Sequence, residues 1–221
     1  MSAVIETSKY FEIAEQLPPD AVATFHDVEW SDYEELLDQV GEAVGMRISY
    51  GDGVLTIMTT SDPHEVYAEF IDRMVSLLSV RFRINIRFFG RATMKLRKLR
   101  KGLEPDACFY VQSADALGKR IERDLEQDPP PDVAVEIDVH HDSRPKLSIY
   151  AALGVPELWR FDGTALSINL LKEGGYVEAE QGVALPLLTA GVLTDFLNRL
   201  RDQGELDAIL AFDEWLKTQS L

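Results

Sequence analysis

The 221-residue sequence contains one cysteine and four histidines. A single cysteine excludes an intramolecular disulfide and any zinc site that is built on cysteine ligands. Cys108 lies in the apolar segment Ala107-Cys108-Phe109-Tyr110-Val111. We therefore expect it to be a small buried side chain that takes no part in chemistry.

Long apolar runs are also missing. No stretch of about 18 apolar residues, the length that a membrane-spanning helix needs, occurs in the sequence. The first 17 residues carry Glu6, Lys9, Glu12 and Glu15 and so lack the apolar core of a secretory signal. We expect a cytoplasmic protein.

Linkers and repeats are absent too. No Ser/Gly/Pro-rich segment divides the chain, and no internal repeat or low-complexity tract is present. Because 46% of the residues are hydrophobic, the chain can build one well-packed core. The sequence predicts an N-terminal extension over residues 1–30 and a single domain over residues 31–221.

Positive charge is scarce, with 22 basic residues against 38 acidic ones and a net charge of −16. Such a balance disfavours phosphate binding by the protein as a whole. However, the segment from Arg81 to Leu103 contains nine basic residues and no acid. Screening over about 8 Å at physiological salt lets such a patch act locally. The residues expected to contact nucleic acid are Arg91, Lys95, Arg97, Lys98, Arg100 and Lys101. The alternative is a solvated strand face and loop.

Apolar periodicity predicts both helices and strands. Ser31 and Glu34 form a capping-box pattern ahead of a helix with apolar positions Leu36, Leu37, Val40 and Val44. Asp62 as cap and Pro63 at the first position open a second helix, with apolar positions Val66, Phe70, Met74, Leu77 and Leu78. Two further helices are expected near the C-terminus, over residues 193–200 and 206–216, and a short one over residues 144–153, ending at Gly154.

The predicted strands begin with a hairpin. Its two strands cover residues 47–50 and 54–58, and they meet at the turn Gly51-Asp52-Gly53. The other predicted strands cover residues 84–89, 107–111, 133–139, 158–161, 165–171 and 176–179, so the basic loop lies between two of them. This order of elements predicts an α/β or α+β fold with a mixed central sheet flanked by helices.

Residues 132–140 combine a strand pattern with acids. Val133, Val135 and Ile137 fall on one face of an extended strand, whereas Glu136 and Asp138 fall on the other. Neighbouring carboxylates repel each other unless solvent or a cation offsets the repulsion. A one-sided sheet with its polar face in water would show the same alternation, and that interpretation stays open here.

Three residues can be assembled into a hydrolytic site. Asp106 precedes one strand, Glu136 lies about thirty residues later in the next, and Lys146 lies on the following helix. Two acids on adjacent strands, helped by a backbone carbonyl such as that of Ile137, suit Mg²⁺, which takes oxygen ligands and keeps several waters. A cation so held polarises a phosphoryl oxygen, and an ammonium group stabilises negative charge. The implied reaction is phosphodiester hydrolysis.

The chain resembles a known family in several stretches: 50–58 (YGDGVLTIM), 63–65 (PHE), 102–106 (GLEPD), 131–138 (PDVAVEID) and 146–159 (KLSIYAALGVPELW). It is similar to the Uma-two (Uma2) family of bacterial endonucleases, within the PD-(D/E)XK superfamily of restriction-endonuclease-like folds. The resemblance covers about residues 50–200. It implies a restriction-endonuclease-like fold and a Mg²⁺- or Mn²⁺-dependent nuclease that acts on DNA.

The resemblance also implies site residues. Asp106 and Glu136 correspond to the metal-binding pair, and Lys146 corresponds to the catalytic lysine moved from the strand to the next helix. Asp138 occupies the position of the superfamily's strand lysine. Ser49 replaces an acid that is common before the first hairpin turn, which leaves Glu65, or His64 beside it, as the first-helix candidate. The candidate catalytic set is Asp106, Glu136, Lys146, Asp138 and Glu65.

Three functions remain open from the sequence. The first is a metal-dependent endonuclease, and the second is a nuclease-derived nucleic-acid-binding protein whose departures at Asp138 and Ser49 weaken catalysis. The third is a metal-dependent hydrolase of a small phosphoester, which would suit the acidic body. A homodimer would bring two nuclease sites to one duplex, but the sequence alone does not argue for it.

Overall fold

The computed structural model describes residues 9–41 and 45–220, and within these it contains six α-helices and eleven β-strands. The helices are α1 (Lys9–Glu15), α2 (Trp30–Val40), α3 (Asp62–Phe82), α4 (Leu147–Leu153), α5 (Ala190–Gln203) and α6 (Glu205–Lys217). The strands are β1 (Val22–Phe25), β2 (Met46–Gly51), β3 (Val54–Thr59), β4 (Arg87–Phe88), β5 (Met94–Leu96), β6 (Lys101–Leu103), β7 (Ala107–Tyr110), β8 (Val133–Ile137), β9 (Glu157–Phe161), β10 (Leu166–Lys172) and β11 (Gly175–Ala179).

The strands form two sheets. One is five-stranded and antiparallel, in the order β1-β3-β2-β6-β5. The other is six-stranded, in the order β11-β10-β9-β8-β7-β4, and its β8–β9 pair is parallel while its other pairs are antiparallel. Helix α4 connects the two parallel strands, as such a crossover requires. The expected mixed sheet is therefore present, with a second sheet beside it.

Three apolar clusters hold these layers together. The largest packs α3, α5 and α6 against one face of the six-stranded sheet. A second packs α1 and α2 against the outer face of the five-stranded sheet. The third lies between the two sheets, where Met94 and Leu103 meet Ile149 and Leu153 of α4 and Ala134 of β8. The inter-sheet layer is thus where the polar face of β8 is directed.

Strand β8 is covered on both faces. All five of its residues are buried, and Glu136 is 1% exposed. The alternative of a one-sided sheet with Glu136 in water is therefore wrong, because α4 and the five-stranded sheet cover that face. The strand also ends at Ile137, two residues before the predicted end.

The first two predicted helices begin at other residues than the sequence predicts. Helix α2 begins at Trp30 with Glu29 as N-cap, so the capping box of Ser31 and Glu34 is wrong. The reason is packing, since the Trp30 ring is buried with its centroid 5.0 Å from that of Tyr33. Val44, predicted to continue this helix, lies outside the described residues.

Helix α3 differs from its prediction in smaller ways. It starts at Asp62, and its N-cap is Ser61, so Asp62 is not the cap. Phe70, Met74 and Leu78 are buried as predicted, but Val66 is 46% exposed, because it lies on the solvent face of the helix with Glu69 and Arg73. The hairpin, the helix end at Gly154 and the two C-terminal helices are confirmed.

The basic segment is more structured than predicted. Residues 94–96 and 101–103, expected as a loop, form β5 and β6, because Met94, Leu96 and Leu103 are buried between the sheets. The strand predicted over residues 84–89 is reduced to Arg87–Phe88. The segment expected as an N-terminal extension supplies α1 and β1, and β1 pairs with β3. No helix within the described ranges is both long and apolar enough to cross a membrane.

Cys108 is fully buried on β7, as expected, and burial raises the pKa of its thiol to about 11. A second titratable group with a raised pKa, the half-buried Asp72, lies near it on α3. The Oδ1 atom of Asp72 is buried without a hydrogen-bond partner in the described part of the chain. Burial, reinforced by the charge of Glu69, raises the pKa of Asp72 to about 7. At a pH between these two values the folded protein therefore keeps the Asp72 proton, whereas the unfolded chain, in which an aspartate has a pKa of about 3.9, has released it.

This carboxyl predicts a pH dependence of stability. Between about pH 4 and pH 7 the folded state binds more protons than the unfolded state, so the free energy of unfolding falls as the pH rises. We expect Asp72→Asn to raise that free energy by about 2 kcal/mol at pH 8 and to change it little at pH 4. Urea unfolding at both pH values measures the effect. Asp207→Asn, at an exposed position of α6, is the control. Equal effects of Asp72→Asn at the two pH values would contradict the prediction.

Candidate active site between the two sheets

Two carboxylates lie side by side at the centre of the molecule. In the antiparallel β7–β8 pair Ala107 lies opposite Val135, and the amide of Asp106, the residue just before β7, donates to the Val135 carbonyl at 3.0 Å. Asp106 and Glu136 are 3% and 1% exposed, and they lie close enough for the charge of Asp106 to raise the pKa of Glu136. Like charges at neighbouring positions of adjacent strands are destabilising unless they are compensated.

Helix α4 and the turn before it carry the groups that bind the Glu136 carboxylate. The Nζ atom of Lys146 donates to both carboxylate oxygens of Glu136, at 3.1 and 2.8 Å, and the Tyr150 hydroxyl donates to Oε1. Lys146 and Tyr150 are four residues apart and so lie on one face at the start of the helix. The β8–α4–β9 crossover lays this face over the carboxylate.

Strand β2 supplies the compensation for Asp106. The Nε atom of Arg47 donates to Oδ1 at 3.0 Å, and the backbone amide of Ile137 donates to Oδ2 at 2.8 Å. Arg47 is 3% exposed, and its side chain points from the five-stranded sheet toward the six-stranded one. An arginine on one sheet therefore binds an aspartate on the other.

The pKa values follow from this arrangement. Burial, together with the charge of Asp106, raises the pKa of Glu136 to about 7, although Lys146 opposes the shift. Burial lowers the pKa of Lys146, but Glu136 and Asp106 outweigh it, so that pKa is raised. Burial raises the pKa of Asp106, but His64, Lys146 and Arg47 outweigh it and hold it below its usual range.

Glu65, the first-helix candidate, lies one step away from this pair. It accepts from Arg47 Nη2 at 3.0 Å and from Arg91 Nη1 at 2.6 Å. Arg47 thus bridges Glu65 and Asp106. His64 is 1% exposed, its Nδ1 atom lies 3.8 Å from Asp106 Oδ2, and neither ring nitrogen has a hydrogen-bond partner among the described residues.

Asp138 binds other groups. It lies beyond the end of β8, and its carboxylate accepts from the amide and hydroxyl of Ser143 at 3.0 Å each and from Arg160 at 2.6 Å. Ser143 precedes the 3₁₀ turn Arg144–Lys146. Asp138 therefore holds the turn that carries Lys146, and it does not replace a strand lysine beside Glu136.

Most of the basic residues predicted to contact nucleic acid are paired with acidic side chains. Four of them have acidic partners: Arg91 pairs with Glu65, Lys95 and Arg97 with Glu34, and Lys101 with Asp52. Lys98 and Arg100 are exposed, and no ion pair is found for either within the described residues. Intramolecular acids therefore neutralise much of the patch that the sequence suggested.

The donor set bears on the kind of cation that it can hold. Within residues 9–41 and 45–220, no group of three or more His, Cys, Asp or Glu side chains is arranged to hold a metal ion. A cation held by Asp106 and Glu136 would take its other ligands from a backbone carbonyl and from water molecules. That arrangement fits Mg²⁺ or Mn²⁺ and does not fit a structural zinc ion.

Sequence reasoning missed two residues of this cluster. Arg47 was treated only as part of a hairpin strand, although a charge within an alternating apolar strand is the same signal that drew attention to Glu136. For Tyr150 the sequence offers only its spacing of four residues from Lys146, which indicates a shared helical face and a packing role. Neither the Arg47–Asp106 contact nor the Tyr150–Glu136 contact has a signature in local sequence, since each joins separate elements.

The chain was compared with known proteins. A family model described as Uma2, "putative restriction endonuclease", matches residues 30–196. No curated protein matches. A solved structure that does match is a "putative nuclease belonging to DUF820" from Anabaena variabilis ATCC 29413, at 16% identity and a TM-score of 0.44, covering 68% of this chain and 90% of that one.

The family match spans most of the chain and includes Arg47, Asp106, Glu136 and Lys146. The predicted fold class, a restriction-endonuclease-like mixed α/β fold, is confirmed. At the level of the family the expected activity is that of a nuclease, which implies a nucleic-acid substrate. The protein belongs to the Uma2 family of putative restriction endonucleases.

Proposed function

We propose that this protein is a metal-dependent endonuclease that hydrolyses phosphodiester bonds of DNA, with Asp106 and Glu136 holding Mg²⁺ or Mn²⁺. The observation that carries the proposal is the cross-strand placement of these two buried carboxylates with the Lys146 ammonium on Glu136. A buried carboxylate pair is costly to fold unless a cation offsets it. Such clusters are typical of sites that do chemistry.

The chain's own residues have separable tasks. Asp106 and Glu136 supply the anionic oxygens, and the bound cation would polarise a phosphoryl oxygen and lower the pKa of a water. Lys146 balances Glu136 and, lying beside it, can orient that water or stabilise negative charge on the phosphate. Arg47 and Tyr150 fix the two carboxylates in place.

Two further residues act through others. Glu65 holds Arg47, which in turn holds Asp106. Asp138 holds Ser143 at the start of the turn that leads to Lys146. We assign both as positioning residues, which keeps the candidate set of five but divides it into groups that touch the substrate and groups that orient them.

Nucleic-acid contact falls to the exposed part of the basic segment. Lys98 and Arg100 are free of ion pairs within the described residues, and the side chain of Arg97 is 73% exposed. Each phosphate contact of this kind makes binding weaker as salt rises. Cleavage should therefore fall steeply between low and physiological salt.

The proposal is tested with supercoiled and circular single-stranded DNA at low salt, in Mg²⁺, Mn²⁺ or EDTA. We expect cleavage in either metal and none in EDTA. Asp106→Asn should lower the rate at least about 100-fold, because it removes a charge from the cation site. The matched control Asp207→Asn, at an exposed position of α6, should cleave like the parent protein.

Each other outcome would overturn the proposal. Equal cleavage by Asp106→Asn and the parent protein would identify a contaminating nuclease. DNA binding without cleavage would favour the nuclease-derived binding protein. Salt-insensitive hydrolysis of a small phosphoester, with DNA left intact, would favour the small-substrate hydrolase.

A further inference from the structure

A cavity of about 500 Å³ adjoins the candidate active site, and Arg47 and Lys146 are part of its lining. One wall is a face of strands β1, β3 and β2. The other wall is formed by the turn that carries Lys146 and by Ser148 and Ile149 of α4. The cavity therefore leads from the molecular surface to Arg47 and Lys146, the basic partners of the two carboxylates.

The strand wall is built from side chains in register. Val22 and Arg47 both lie opposite Met58, and Thr24 and Ser49 both lie opposite Thr56. The rows across the three strands are Val22–Met58–Arg47, Thr24–Thr56–Ser49 and Val54–Gly51. A row of three hydroxyl groups thus runs across the wall, with apolar side chains on both sides of it.

This wall is the uncovered half of an inward sheet face. On the outer face of the same strands Ile48, Leu55 and Ile57 are fully buried under α1 and α2. On the inner face Leu103 of β6 is buried against α4, whereas Val22 of β1 is 45% exposed. A face that would normally be core is open beside a site of proposed chemistry.

The charges of the lining limit what can enter. Arg47 is buried and Lys146 is partly buried, and both are already paired with the carboxylates. The charged side chains Asp52 and Asp142 are exposed acids, and the rest of the strand wall is uncharged. A phosphate group is therefore accommodated only near Lys146, and the remainder of the cavity suits a flat uncharged group with hydrogen-bonding edges.

We propose that this cavity holds one unpaired nucleotide next to the scissile phosphate, so that the protein prefers single-stranded or locally unpaired nucleic acid to intact duplex. The inference rests on the proposed nuclease function and names its substrate class. Bases in a duplex are stacked and paired, and they enter such a pocket only when they are extruded. Apolar side chains hold the base faces, and the hydroxyl row meets its edge or the sugar.

Binding is measured by fluorescence anisotropy in a Glu136→Gln background, which under the proposed function cleaves too slowly to consume the probe during the measurement. The probes are short labelled single-stranded DNA, single-stranded RNA of the same sequence, and blunt duplex DNA. We expect at least one of the single strands to bind about tenfold tighter than duplex or better, because a base in a duplex must first be unpaired and unstacked before it can enter the cavity. The two single-stranded probes separate DNA from RNA as the source of the nucleotide.

Two variants place that preference in the cavity. Thr24→Trp fills the cavity from an exposed strand position and should weaken single-strand binding about tenfold, because the base is shut out, with duplex binding unchanged. Thr164→Trp, at an exposed threonine of the β9–β10 turn, is the matched control. Thr56→Val keeps the side-chain volume and removes the central hydroxyl, so a smaller loss is expected there without any change in folding.

The outcomes separate this inference from the proposed function. Equal affinity for single strand and duplex, or unchanged binding in Thr24→Trp, would overturn the cavity assignment even if the protein cleaves DNA with metal. A single-strand preference that Thr24→Trp removes would uphold it, even if the parent protein cleaves no substrate and the nuclease proposal fails.

Discussion

Glu136→Gln is expected to lower metal-dependent cleavage about 100- to 1000-fold, the usual cost of removing one charged group from a preorganised site. Glutamine has nearly the same shape and can still accept from Lys146 and Tyr150. It loses the negative charge that Asp106 and Glu136 jointly present to a cation. The loss should therefore appear in the rate and in metal affinity, with the fold retained.

Three measurements test this expectation together. Initial cleavage rates give the activity, titration calorimetry with Mn²⁺ gives the metal affinity, and circular dichroism gives the fold. Glu173→Gln, at an exposed position between β10 and β11, controls for the loss of one negative charge. A Glu136→Gln protein that cleaves at the parent rate would contradict the assignment of Glu136.

The sequence predicted the elements that carry the site better than the contacts within it. Alternation over residues 132–140 and the Asp106–Glu136 separation were enough to place two acids on adjacent strands, because strand periodicity is local information. The antiparallel register that brings them close together depends on how β7 and β8 pair, and the sequence does not state it.

The contacts that complete the site come from elements far apart in the chain. Arg47 reaches Asp106 across 59 positions, from a different sheet. The basic segment was expected as a loop because charge dominates its composition, yet three apolar residues were enough to make it a hairpin between the sheets. Its ion pairs with Glu34, Glu65 and Asp52 likewise depend on tertiary packing, which places acids from α2, α3 and the first hairpin beside it.

The stretches that resemble the Uma2 family contain structural residues as well as candidate catalytic ones. Glu157 lies in the same quoted stretch as Lys146, and it is 2% exposed at the start of β9. Its carboxylate accepts from the backbone amides of Val183 and Ala184, at 2.8 and 3.1 Å, and from the Trp159 indole at 2.6 Å. It therefore ties the segment between β11 and α5 to the six-stranded sheet.

Glu157→Ala is expected to lower the free energy of unfolding by about 3–5 kcal/mol, because it leaves two buried N–H donors, those of Trp159 and Ala184, and the part-buried Val183 amide without an acceptor. Glu157→Gln keeps one acceptor oxygen and should lose about 1–2 kcal/mol. Urea unfolding at neutral pH measures both variants. A loss below about 1 kcal/mol in Glu157→Ala would mean that water or a shifted backbone satisfies these donors, and that Glu157 does not hold the segment in place.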